Sequence, residues 1–364
     1  MDMGNPLCVG ERQLRLPLIQ GGMGVGISLS GLAGAVAKEG GVGLISTAQI
    51  GWREPDFDRD PIGANLRALA AELRKARELA GGGMVGFNIM VATRRYEAYV
   101  RAAAEAGADL IVSGAGLPVD LPKYAAGFPV KLAPIVSSQK AANLICRLWD
   151  RRYHTVPDLV VVEGPEAGGH LGFSREEAES LTREAYGQEI RRILDTVKEY
   201  GKKYGKEIPV AVAGGIFDRR DVAWALEELG ADAVQVATRF VTTWECDAPQ
   251  AFKDAYLQAG KEDIVITQSP VGMPGRAIAN SFLRQGSHPR PRLCHQCLEH
   301  CQPDRIPYCI TDALVHAAEG DTGHALIFCG SNAWKCRQME SVHQVVADLF
   351  PQEAAPASRE GGKR

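Results

Sequence analysis

The chain has 364 residues, 45% of them hydrophobic and 23% charged, with a formal net charge of −3. That length supports one large core or two ordinary ones, and a near-neutral chain without a long Lys/Arg block argues against nucleic acid or a membrane surface as partner. The N-terminus lacks the basic and apolar regions of a secretory leader, and no apolar run approaches the roughly 18 residues of a membrane span. A cytoplasmic protein acting on a small-molecule substrate is the expectation. Nine cysteines in that compartment are expected to be reduced, so a cluster among them points to metal or redox chemistry rather than to a disulfide framework. Six of the nine follow residue 290.

In chain order, short apolar runs bounded by Gly, Pro or Asp fall at 16–20 (LPLIQ), 42–46 (VGLIS), 84–89 (MVGFNI), 109–113 (DLIVS), 130–136 (VKLAPIV), 158–163 (DLVVVE), 209–213 (PVAVA) and 233–237 (AVQVA). Such runs read as strands buried on both faces. Helical spacing lies between them: Leu66, Leu69, Ala70, Leu73 and Ala76; Ile190, Ile193, Leu194 and Val197; Val222, Leu226 and Leu229. Eight β units alternating with helices predict an α/β fold, a TIM (β/α)8 barrel of about 250 residues, with an open doubly wound sheet as the alternative. Residues 239–285 read as helix and loop. The domain expectation is a barrel over 1–288, a Cys-rich appendage over 289–350 and a disordered polar tail over 351–364.

A barrel collects its chemistry at the C-terminal ends of its strands. After the first run comes Gln20-Gly21-Gly22-Met23-Gly24, where the near absence of side chains lets backbone amides approach a flat ring or an anion. The third run ends in Asn88, an amide suited to a pyrimidine-like ring edge or, equally, to a buried loop contact. The sixth leads into Glu163-Gly164-Pro165-Glu166-Ala167-Gly168-Gly169-His170, which sets an imidazole on a glycine-rich loop where it can exchange protons near neutral pH. Gly214-Gly215 after the seventh run and Ala237-Thr238 after the eighth stand where barrels cradle phosphate.

These segments, PLIQGGMG at 17–24, GFNIMV at 86–91, SGAG at 113–116, EGPEAGGHLG at 163–172, AVAGGI at 211–216 and QVATRF at 235–240, resemble the FMN-dependent barrel enzymes that include nitronate monooxygenases and enoyl-ACP reductase II. The resemblance covers roughly residues 14–285. It implies an FMN-dependent oxidoreductase that binds the cofactor through Gly22, Met23, Asn88, Glu163, Gly169, Gly214, Gly215, Gln235, Ala237 and Thr238, with His170 as acid/base. Ala237 stands where relatives often have Gly. Nitronate oxidation is the leading expectation. Glu163 and the run Asn88-Ile89-Met90 look more like the enoyl reductase, which would use NAD(P)H on an enoyl thioester, whereas the chain continues about eighty residues past the segment where those reductases end. A non-catalytic flavin- or metal-binding sensor and a non-flavin, sugar-phosphate barrel are the competing classes. A homodimer is a candidate assembly.

Cys294, Cys297, Cys301 and Cys309 form a C-x2-C-x3-C-x7-C arrangement. Four thiolates at this spacing are candidate ligands for zinc or an iron–sulfur cluster, with reduced structural cysteines as the alternative. His295 and His300 are candidate substitutes. The later Gly330-Ser331-Asn332-Ala333-Trp334 is expected to fold back toward the barrel mouth.

Overall fold

The computed structural model describes residues 6–289 and 293–351. Eight parallel strands close into a barrel: β1 (Leu18–Gln20), β2 (Val42–Ser46), β3 (Met84–Met90), β4 (Leu110–Gly114), β5 (Lys131–Val136), β6 (Val160–Glu163), β7 (Val210–Ala213) and β8 (Ala233–Val236). Each pairs with its sequence neighbour, and β8 returns to β1 through Val234↔Leu18, Gln235↔Ile19 and Val236↔Gln20. The closure decides for the barrel over the open sheet. All eight predicted runs are strands, shortened by up to two residues where Leu16, Asp158 and Pro209 serve as entry residues.

The apolar alternation along each strand divides the core in two. Ile19, Leu44, Val112, Ala133, Val161, Ala211 and Ala233 point inward, and Leu7, Val9 and Leu14 of an N-terminal hairpin (Leu7–Val9 with Arg12–Leu14) close the bottom of the barrel. The outward faces pack on the helices α1 (Ser30–Lys38), α2 (Pro61–Leu79), α3 (Tyr96–Glu105), α4 (Leu121–Tyr124), α5 (Gln139–Tyr153), α6 (Arg183–Tyr204) and α7 (Arg219–Ala223). Helix α2 starts at Pro61 with Asp60 accepting from the Gly63 N–H, a cap that its proline-first sequence calls for. It buries Leu69, Leu73 and Ala76 as their spacing predicts, while Ala70 stays exposed and Ala68 takes its place. The predicted helix through Val222, Leu226 and Leu229 becomes α-helical over α7 and continues as a π-turn over Trp224–Glu228.

Two features depart from the sequence expectation. Within 239–285, Ile264–Gln268 and Pro274–Ile278 form an antiparallel hairpin, and its second strand pairs with the short strand Gly169–His170 (Gly275↔His170, Arg276↔Gly169). The run Ile264-Val265-Ile266-Thr267 carries the β-branched signal, which the surrounding helical segments obscure. Nor does the chain beyond 288 form a lobe of its own throughout. Helix α8 (Val342–Leu349) packs between α1 and α7 and buries Val342, Val345, Val346 and Leu349 in the main core, so the eighth helix of the barrel arrives after an excursion of about a hundred residues from β8. A smaller cluster around Tyr308, Ile310, Ala313 and Leu326, with Cys297 and Cys301 at its edge, is what remains of the expected Cys-rich appendage. The expected tail lies outside the described residues from 352 onward.

Candidate active site

The strand ends open into two adjoining cavities of about 150 and 170 Å3, sharing Gly22, Glu163, Gly168, Gln235 and Phe328. The first is lined by Gly22, Met23, Glu163, Gly169, Gly214, Gly215, Gln235, Ala237 and Thr238, and the second adds Asn88 and His170. Every residue expected to touch the cofactor, and the expected acid/base, therefore faces one continuous space. The loop after β1 runs close to β3: a Cβ on Gly22 would lie 2.3 Å from Asn88 Cβ. Gly214 and Gly215 have φ of +91° and +80°, a backbone conformation that favours glycine at both positions.

The residues fit FMN. Gln235 Oε1 and Ser331 Oγ, one beside the β8 wall and the other beside Gly214 and Gly215, are buried without a hydrogen-bond partner. Buried polar atoms of this kind are costly unless something bonds them. The ring edge would meet Asn88, Gln235 and Glu163, and the phosphate would meet the amides and hydroxyls of the loops after β7 and β8, the anion site that barrel geometry places there.

His170 is held from two sides. Its Nε2 lies 2.8 Å from Ser269 Oγ and its ring meets Phe328 edge-on at 5.0 Å. Arg276 fixes the loop beneath by donating to the carbonyls of Pro165 and Ala167 at 2.7 and 2.6 Å. Burial pushes the imidazole down to about 4, leaving it neutral at physiological pH. The same burial pushes the Glu163 carboxyl up to about 7. Ser269 and Phe328 carry no local sequence signal, because their partner His170 is 99 and 158 residues away in the chain.

The segment Gly330-Ser331-Asn332 does reach the barrel mouth. The Gly330 N–H donates to Thr238 Oγ1 at 3.1 Å, the Ser331 N–H to the Glu166 carbonyl at 3.1 Å, and Asn332 Nδ2 to the Gly215 carbonyl at 2.8 Å. Cys297 borders the second cavity, yet among the described residues no three His, Cys, Asp or Glu side chains are placed to hold a metal ion. His295 bonds Asp58 Oδ1 at 3.0 Å and stacks on Phe57, and His300 is exposed.

Comparison with known proteins agrees with the barrel fold. A family model described as nitronate monooxygenase matches residues 7–352. A probable nitronate monooxygenase of Staphylococcus saprophyticus is 36% identical over 129 residues, which is 35% of this chain and 34% of that protein. The match thus spans about a third of that relative's length. A (3aS,4S,5R,7aS)-5-hydroxy-7a-methyl-1-oxo-octahydro-1H-indene-4-carboxyl-CoA dehydrogenase of Mycobacterium tuberculosis is 30% identical over 288 residues, 75% of this chain and 67% of that protein. Among solved structures, FabK from Thermotoga maritima superposes with a TM-score of 0.70 at 25% identity, covering 93% of this chain and 92% of that one. Nitroalkane oxidase from Streptomyces ansochromogenes, at 20% identity and a TM-score of 0.69 over 94% of this chain and 96% of that one, shares the fold.

Proposed function

The chain belongs to the nitronate monooxygenase family, and on that premise we propose that it is an FMN-dependent oxidoreductase that oxidises alkyl nitronates. The observation that carries this reading is a neutral, firmly held imidazole on the wall of a cavity whose glycine loops and unpartnered polar atoms fit FMN. Bound FMN supplies the redox chemistry, accepting electrons from the substrate carbon. The protein's part is acid–base and positional. A neutral His170 takes the proton of a nitroalkane carbon acid, and the imidazolium so formed sits against the nitronate it has just made. Ser269 can give or accept a hydrogen bond, so it holds the ring in either tautomer through the transfer. The loop carrying His170 is pinned to the hairpin strand Pro274–Ile278, which fixes the backbone from which the ring faces the cavity.

A second reading, reduction of an enoyl thioester with NAD(P)H as electron donor, is supported by Glu163, whose raised pKa lets it stand as a neutral donor near pH 7, and by the relative named as a carboxyl-CoA dehydrogenase. An anaerobic visible spectrum of the purified protein separates the two. Flavin bleaching by a nitronate, with colour restored by air, is the expected outcome. Bleaching by NADH or NADPH alone would select the thioester reductase, and a colourless protein that takes up no FMN would sink both. A His170→Ala variant should keep its flavin and lose roughly 10²–10⁴-fold in turnover of a neutral nitroalkane. Its turnover of preformed nitronate should fall far less, because that substrate needs no base.

A further inference from the structure

Gln49 takes no part in the chemistry just described, yet it is a buried amide on the wall of the cavity that holds His170. It follows β2 by three residues, is 7% exposed and lines the second cavity. Its neighbours fix which way the amide faces. The Gly51 N–H, which can only donate, bonds Asn65 Oδ1 at 2.7 Å. Asn65 therefore offers its nitrogen on the other side, and Nδ2 donates to Gln49 Oε1 at 3.1 Å and to the Tyr99 hydroxyl at 2.8 Å. With its oxygen so occupied, Gln49 is left with two N–H donors on Nε2 and no partner for them among the described residues. Nor is that nitrogen sealed among protein atoms, so its remaining surface opens onto the cavity that Gln49 lines.

A donor this deeply placed is costly unless something bonds it. The loop that carries it is rigid. Thr47 binds the Asn88 carbonyl through its N–H at 3.1 Å and its hydroxyl at 3.2 Å, and Gly51 lies so close to α2 that a Cβ there would come within 2.4 Å of Ala64. Gln49 itself has φ of +45°, a conformation that glycine or asparagine adopts more readily. The turn alone would be better served by glycine, whereas glutamine at this position supplies an amide to the cavity. In the closed ring of eight strands β2 and β6 are four places apart, so the loops carrying Gln49 and His170 rise from opposite sides of the barrel. Both side chains line one cavity of about 170 Å3, a space for a single small molecule between them.

We propose that Gln49 Nε2 is the donor that receives an oxygen of the substrate, opposite the imidazole of His170. This assignment rests on the nitroalkane reading above and adds a second residue to the same step. When His170 takes the proton, the C–H bond breaks and its electron pair forms the C=N bond. The displaced N=O pair then places the negative charge on the nitro oxygens. A fixed N–H directed at those oxygens stabilises the charge as it forms and does less for the neutral nitroalkane, so it lowers the barrier to proton removal.

The test uses the flavin-loaded, full-length protein at pH 8.5 and propionate, a carboxylate with the heavy-atom shape and charge of ethyl nitronate, its binding followed by calorimetry. Gln49→Glu keeps the side-chain shape and the acceptor for Asn65 while replacing the donor with oxygen, and Gln49→Leu removes both polar atoms. Each variant should keep its FMN, since Gln49 lines the second cavity and not the first. Each should bind propionate about 10- to 100-fold more weakly than wild type. For nitroethane kcat/KM should fall about 10²–10³-fold, whereas preformed ethyl nitronate should show a raised KM with kcat little changed. Propionate affinity equal in all three proteins, or no binding by wild type, overturns the assignment. Weakened propionate binding in the variants of a wild type that turns over neither nitroethane nor its nitronate defeats the nitroalkane reading alone. Turnover of nitroethane by both variants at the wild-type rate defeats the role of Gln49 alone.

Discussion

His170 and Glu163 face the same cavity, and the same loss of solvation moves them in opposite directions. Burial disfavours whichever form is charged. For His170 the folded value of about 4 lies below the ordinary 6.5, so its contribution to stability is complete above pH 6.5 and is lost as pH falls toward 4. Glu163, raised from 4.5 to about 7, behaves in reverse: its contribution is complete below pH 4.5 and is lost as pH rises through 7. In flavin-free protein, His170→Gln should therefore gain stability at pH 5 relative to wild type and little at pH 8, and Glu163→Gln should gain at pH 8 and little at pH 4.5. Each effect is at most about 3 kcal/mol. Urea titrations at the two pH values read both, and parallel shifts at the two pH values would show that ionisation is not the cause. Ser269 acts through His170. Ser269→Ala should lower kcat for nitroalkanes about 5- to 10-fold, the equivalent of one hydrogen bond, with KM nearly unchanged and a displaced pH profile.

At the scale of elements, the strap 328–332 lines the first cavity beside Thr238, Gly214 and Gly215. Gly330 packs so tightly on Thr238 that a Cβ there would lie 2.5 Å from its hydroxyl, and Ser331 Oγ is buried with no partner. On the proposed FMN site, with the phosphate at Thr238, Gly330→Ala should displace Thr238 and weaken FMN about tenfold, a loss of about 1.4 kcal/mol, while leaving riboflavin, which has no phosphate, as tightly bound as before. Quenching of flavin fluorescence measures both, and an equal loss for riboflavin would mean that the strap shapes the whole cavity instead. The join between β2 and α1 is tighter still. A Cβ on Gly43 would lie 1.9 Å from the Ala33 carbonyl oxygen, so Gly43→Ala must separate strand from helix. It should cost about 3 kcal/mol or more in thermal or urea unfolding.

For the whole molecule, the C-terminal segment is held by charge as well as by α8. Arg239, buried just after β8, pairs with Glu340 Oε1 at 3.0 Å and Asp348 Oδ2 at 2.6 Å and donates to the Phe217 carbonyl. Removing the cation leaves Glu340 half-desolvated and unpaired, which is the costly way to break a buried pair. Arg239→Met should lose about 3 kcal/mol of stability and, by loosening the strap, some affinity for FMN. A chain cut after residue 328 lacks the eighth helix and should not yield folded barrel, by circular dichroism and gel filtration.

The sequence by itself determined the barrel and most of its site. Eight apolar runs with turn residues at their ends encode strand and crossover locally, and barrel topology then brings every strand end to one mouth, so position and family resemblance together pointed to Gly22, Asn88, Glu163, His170, Gly214, Gln235 and Thr238, all of which line the cavities there. What tertiary structure decided was every pairing between residues distant in the chain. That Ser269 holds His170, that the strap meets Thr238 and Gly215, that α8 completes the barrel from beyond the Cys-rich segment, and that Cys297 borders the cavity all depend on where long excursions return. No periodicity or spacing records such a return, because the contact forms between surfaces that only the folded barrel creates.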